Sequence, residues 1–140
     1  LTVHACTSSF YQLGGQATPG VQLVAETGSS SLLRGEVEAA VSAGTATAFM
    51  NYGSPSGSTF SRTGTAAVSQ DHGCVTLLTM IAPSPDWFVG VSALSLVDGA
   101  GAFRDCVTAP LIALDAGTDS GDTYTSANQP TTPQGVIHEL

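Results

Sequence analysis

The chain has no lysine, and its only basic side chains besides histidine are Arg34, Arg62 and Arg104. Against these stand 11 acidic residues, for a formal net charge of -8. A nucleic-acid interface needs a basic face and a peripheral membrane binder needs a polybasic patch, so both are excluded as electrostatic designs. Charged residues of every kind make up 10% of the chain, where about a quarter is usual. A helical bundle covers its surface with Glu, Lys and Arg in quantity, and this chain does not supply them. Long apolar runs are missing too: no window approaches the ~18 residues of a membrane span. There is one tryptophan, Trp87, and no initiating methionine or signal-type segment, which points to a mature or trimmed segment of a longer precursor. No Asn-x-Ser/Thr acceptor for glycosylation occurs.

What is there is apolar enough to fold: 42% of the 140 residues are hydrophobic, which separates the chain from disordered acidic tails. The length suits a single domain spanning 1–140. Sixteen glycines and seven prolines cut it into short runs, a pattern suited to an all-β sandwich. Thr18-Pro19 is a helix start with Thr as cap and Pro at the first helical position, and Gly28 is a stop, so one short helix is expected over about 19–27. Residues 32–49 are ambiguous between strand and helix. Strands are expected over 1–6, 59–68, 74–81, 87–96 and 103–114. Residues 74–81 (CVTLLTMI) are the strongest, a continuous apolar run expected in a sandwich core.

The three cysteines, Cys6, Cys74 and Cys106, form no C-x-x-C pair, which disfavours a zinc knuckle or a thioredoxin-type motif. Either three buried thiols or one bridge with one thiol left over satisfies the count. Cys74 and Cys106 lie on or near strands that could be neighbours, so a bridge between those two is the expectation, with Cys6 free or interchain. His4, His72 and His138 read as surface histidines, and Met50 and Met80 as packing residues. Trp87 reads as a core anchor, with stacking on a sugar as the other use of such a ring.

All seven aspartates lie after position 70. Asp86 precedes an expected strand, and Asp115, Asp119 and Asp122 follow another within a Gly-rich segment. If those strands are neighbours, Asp86, Asp115 and Asp119 converge at one end of the sheet. Calcium takes six to eight hard oxygens in flexible geometry, which three carboxylates, backbone carbonyls and water supply. The spacing is not that of an EF-hand, and Asp and Gly also serve as plain turn formers. Asp119-Ser120-Gly121 has the triplet of an aspartic protease, but Gly117-Thr118 stand where those enzymes have apolar residues, and a shared-proton pair also needs a second such loop or a dimer axis. No nucleophile elbow, P-loop or dinucleotide fingerprint is present.

Two long stretches, TMIAPSPDWFVGV at 79–91 and DAGTDSG at 115–121, are similar to the spondin N-terminal domain family. The helix segment ATPGVQLVAE at 17–26, TYTS at 123–126 and PTTP at 130–133 continue the likeness. The resemblance implies a C2-like antiparallel β-sandwich, secreted, without enzymatic activity. It also implies a calcium ion on loops at one end, with Asp86, Asp115 and Asp119 matching the family's ligating aspartates. An extracellular protein or glycan partner, and a role in matrix or cell-surface adhesion, follow from the same likeness. Leu114 stands where the family has Trp before the loop aspartate. The family also carries a strand ahead of the point where this chain begins, which implies an exposed first edge able to pair with another chain. A self-assembling structural subunit is the alternative function that this edge suggests.

Overall fold

The fold is described from a computed structural model, over residues 1–53 and 61–140. Six strands form one antiparallel sheet: β1 (Thr2–His4), β2 (Ala46–Phe49), β3 (Cys74–Met80), β4 (Trp87–Ser95), β5 (Ile112–Asp115) and β6 (His138–Glu139). Their order is β2-β1-β3-β4-β5-β6. Two helices, α1 (Pro19–Thr27) and α2 (Ser31–Ser42), complete the regular structure among the described residues. The resemblance and composition predict two packed sheets and one helix. The described strands form one antiparallel sheet, a second helix joins the expected one, and helices α1 and α2 pack on the sheet to form the core.

The first helix matches its signals residue for residue. The Thr18 hydroxyl accepts from the Val21 N–H, Pro19 opens the helix, and Gly28 ends it at φ 73° with its N–H on the Val24 carbonyl. Val21, Val24 and Ala25 recur at helical spacing and are buried. They meet Phe88 of β4, Leu114 of β5, Ile137 and Tyr11 in one core cluster. The ambiguous stretch after residue 31 resolves into two elements. Leu33 and Val37, four apart, are the buried face of α2, and Gly44 at φ 75° turns the chain back into β2. Glu36 fixes the helix pair: its carboxylate accepts from the Gly20 N–H at 2.6 Å and from the Thr18 hydroxyl at 2.7 Å. The second helix thus supplies the negative charge that the N-terminus of the first one lacks.

Several expectations are corrected. The first strand is not an open edge: β1 pairs with β2 on one side and β3 on the other, and Thr2, Val3 and His4 are all buried. The open edges are β2 and β6. His4 is therefore not a surface residue. It is fully buried, with Nε2 at 2.8 Å from the Thr76 hydroxyl and an edge-on ring contact with Phe10. The bridge joins Cys6 to Cys74, not Cys74 to Cys106. Pairing of His4 opposite Cys74 brings Cys6 beside β3, whereas Cys106 is exposed and lies outside any strand. The strand expected over 103–114 shortens to 112–115, with Phe103 and Leu111 exposed. Residues 61–68 of the expected 59–68 strand form none, and Thr59 and Phe60 lie outside the described residues. Strand β3 is less enclosed than its apolar run suggested: only Cys74 and Thr76 are buried.

Candidate functional site

The pairing of β4 with β5 builds one pole of the sheet. Trp87 sits opposite Asp115 in the ladder, so Asp86, one residue earlier, lies where β5 runs out into its loop. The Ala116 N–H bonds back to the Asp86 carbonyl at 3.2 Å. The loop then folds over Asp86. Its Oδ2 accepts from the Thr118 N–H at 2.7 Å, the Asp119 N–H at 2.9 Å and the Thr118 hydroxyl at 3.1 Å. A Pro-rich approach (Ala82-Pro83-Ser84-Pro85) ends in a turn held by Ser84, whose hydroxyl donates to the Ile81 carbonyl and accepts from the Trp87 N–H.

The other two aspartates organise the same loop. Asp119, 4% exposed, accepts from the Gly121 N–H on one oxygen and the Gln129 N–H on the other. This ties 119–121 to a returning segment that also pairs Asp119 with Pro130. Asp115 accepts from the Gly117 N–H at 2.7 Å and from the Trp87 indole N–H at 3.1 Å. Trp87 is half-buried rather than a core anchor, and it meets the exposed Tyr124 edge-on at 5.1 Å between centroids. His138 of β6 stands 3.9 Å from Asp115.

Gly117 adopts φ 71°, and a Cβ there would lie 2.8 Å from the backbone of Gly135 and Val136. Both the conformation and the close approach demand glycine. Gly117→Ala is expected to lower stability by roughly 2 kcal/mol or more. Urea unfolding checks it, and a midpoint equal to wild type would show that the loop yields without cost.

The structure thus brings Asp86, Asp115 and Asp119 to one pole, as their placement at the ends of neighbouring strands implies, and buries Asp86 completely. They are joined mainly through backbone N–H groups. Among the described residues no group of three or more His, Cys, Asp or Glu side chains is arranged to hold a metal ion. One atom is nonetheless orphaned among the described residues: Asp86 Oδ1 is buried and has no hydrogen-bond partner there. Burial pushes the Asp86 carboxyl above its ordinary value and the neighbouring Asp115 charge adds to this, while the N–H groups of Asp119 and Thr118 pull the other way. A buried carboxylate oxygen without a donor is costly, and it is a hard oxygen of the kind calcium takes. In chemical kind, this one oxygen suits calcium.

Sequence reasoning missed three participants. Thr118 supplies two of the three donors to Asp86, His138 arrives from the far end of the chain, and Trp87 positions Asp115 through its indole. Only the adjacency of Trp87 to Asp86 was a signal. The His138 contact depends on β6 pairing, which two residues of sequence do not announce.

A disulfide-braced antiparallel sheet with aspartate-bearing loops gathered at one pole defines the class: a β-domain built around an acidic loop end. The chain belongs to the spondin N-terminal domain family (Spondin_N), whose model matches residues 2–140. It is 36% identical over 139 residues to spondin-2 of Homo sapiens, covering 98% of this chain and 41% of that protein. It is 35% identical over 146 residues to spondin-1 of Gallus gallus, covering 98% of this chain and 18% of that protein. The chain thus spans about two fifths of the spondin-2 relatives and under one fifth of the spondin-1 relatives. None of the helices among the described residues is long and apolar enough to cross a membrane.

Proposed function

We propose that this domain is a secreted, calcium-binding module for extracellular-matrix or cell-surface adhesion. The observation that carries the reading is the orphaned, fully buried Asp86 Oδ1 at the acidic pole. Asp86, Asp115 and Asp119 would hold the ion together with loop carbonyls and water. Bound there, calcium supplies charge neutralisation and a cross-link between the turn before β4 and the loop after β5. The residues themselves shape the pole: Thr118 and Asp119 fold over Asp86, Trp87 orients Asp115, and Gly117 lets residue 135 close in. The Cys6–Cys74 bridge suits an oxidising, extracellular setting, in keeping with a family of secreted proteins.

The domain acts by binding, not by turnover. The carboxylate of the Asp119-Ser120-Gly121 triplet accepts one loop N–H on each oxygen, which holds it as part of the loop and leaves lone pairs for a cation. Its partner is an extracellular protein or glycan. Labelled domain should bind cell-deposited matrix saturably, lose at least about tenfold in affinity in EDTA and regain it on calcium addition. Equal binding with and without chelator would separate adhesion from the ion and overturn the proposal.

A further inference from the structure

A cavity of about 840 Å³ lies at the C-terminal ends of β2 and β3, lined by residues other than those of the acidic loops. Its apolar wall is made by Val24 of α1, Leu33 of α2, Phe49 of β2, Leu78 and Met80 of β3, and Leu111. None of the three aspartates of the acidic pole lines it. The volume falls in the range of small-ligand pockets, ~300–1,000 Å³.

Its polar content is of one sign. Arg34 and Arg62, two of the three arginines in a chain of net charge -8, line this cavity. Arg62 is held by the Tyr52 carbonyl at 3.3 Å and the Ser61 carbonyl at 3.1 Å. Arg34 lies over the Phe49 ring, 4.9 Å from its centroid. Among the described residues no carboxylate comes within ion-pair distance of Arg34, although acids outnumber bases by 11 to 3. The first turn of α2 also borders the cavity and contains no acidic residue. A guanidinium fork beside an apolar wall matches a planar carboxylate on an apolar body. A doubly charged head would meet stronger repulsion from the overall negative field.

We propose that this cavity binds a small amphiphile with one carboxylate head, the head on Arg34 and the apolar body along Phe49, Leu78 and Met80. The site is independent of the calcium reading. An isolated Arg–carboxylate contact at a half-open site is worth about an order of magnitude in affinity or more, and that factor sets the test.

The experiment is calorimetric titration of the chain with monomeric laurate, alongside dodecanol and dodecyltrimethylammonium at the same concentrations. Laurate should bind one to one, and the uncharged and cationic probes at least tenfold more weakly. Arg34→Gln and Leu111→Glu, both at exposed positions, should each weaken laurate by tenfold or more while keeping the wild-type melting temperature. Arg104→Gln, outside the cavity, should leave it unchanged. Absence of saturable laurate heat, dodecanol binding as tightly as laurate, or full laurate affinity in Arg34→Gln would each overturn the proposal.

Discussion

Calcium at 100-fold above its dissociation constant should raise the stability of this domain by about 2.7 kcal/mol. For a chain of this size that is roughly 8 °C in Tm. The expectation rests on Asp86, whose Oδ1 is buried without a partner while Oδ2 takes three donors from Thr118 and Asp119. Asp86→Asn keeps an acceptor oxygen for those donors and removes the charge, so it should fold and lose the calcium response. Asp86→Ala is the poorer test, because it strands three loop donors as well. An equal shift with magnesium would reveal a general ionic effect, and an undiminished shift in Asp86→Asn would remove the aspartate from the site.

The acid side of the same group has a definite sign. The folded Asp86 carboxyl titrates above the ordinary value of 3.8, chiefly through burial. Raised in the folded state, it imposes no electrostatic cost at pH values below 3.8. The cost sets in as pH rises through the folded value, where the buried group is forced to ionise. In chelator, wild type should therefore lose stability relative to Asp86→Asn as pH climbs from 4 toward neutrality. Calcium should cancel that relative loss.

Loss of the Cys6–Cys74 bridge is the second large effect. The two cysteines are 68 residues apart, and the loop-closure entropy for that length is about 4 kcal/mol. Cys6→Ser should lower stability by about that amount, read as a drop in the denaturant midpoint, and the thiol titre of the denatured chain should rise from one to two as Cys74 is released. Cys106→Ser, at an exposed position, should be close to neutral. If Cys106→Ser were the damaging variant, the pairing would be wrong.

How much was legible in the sequence follows from where the information sits. Helix α1 announces itself through a cap, a proline and a glycine within eleven residues, all local chemistry. Strands β3 and β4 are long enough to carry their pattern. The gathering of Asp86, Asp115 and Asp119 needed only the assumption that β4 and β5 are neighbours, which their pairing bears out. What could not be read is non-local. The insertion of β1 between β2 and β3 buries His4 and selects Cys6 for the bridge, and nothing within three residues encodes that choice. Helix α2 was masked by alanines and valines that suit either state, until Leu33 and Val37 found α1 to pack against. The orphaned oxygen of Asp86 is invisible to any pattern, since it depends on which of two equivalent atoms the loop satisfies.

The place of β1 has a kinetic consequence. Thr2 must find Phe49 on one flank and Thr76 on the other, so the β2 side of the sheet is assembled from segments that are far apart in sequence. Topologies of this kind fold slowly, because closure entropy is lost before the contacts that offset it are made. The helical pair and the β3–β4 hairpin are local and can form early. The first strand joins two flanks that are distant in sequence, and the Cys6–Cys74 bridge fixes the pairing of β1 with β3 covalently.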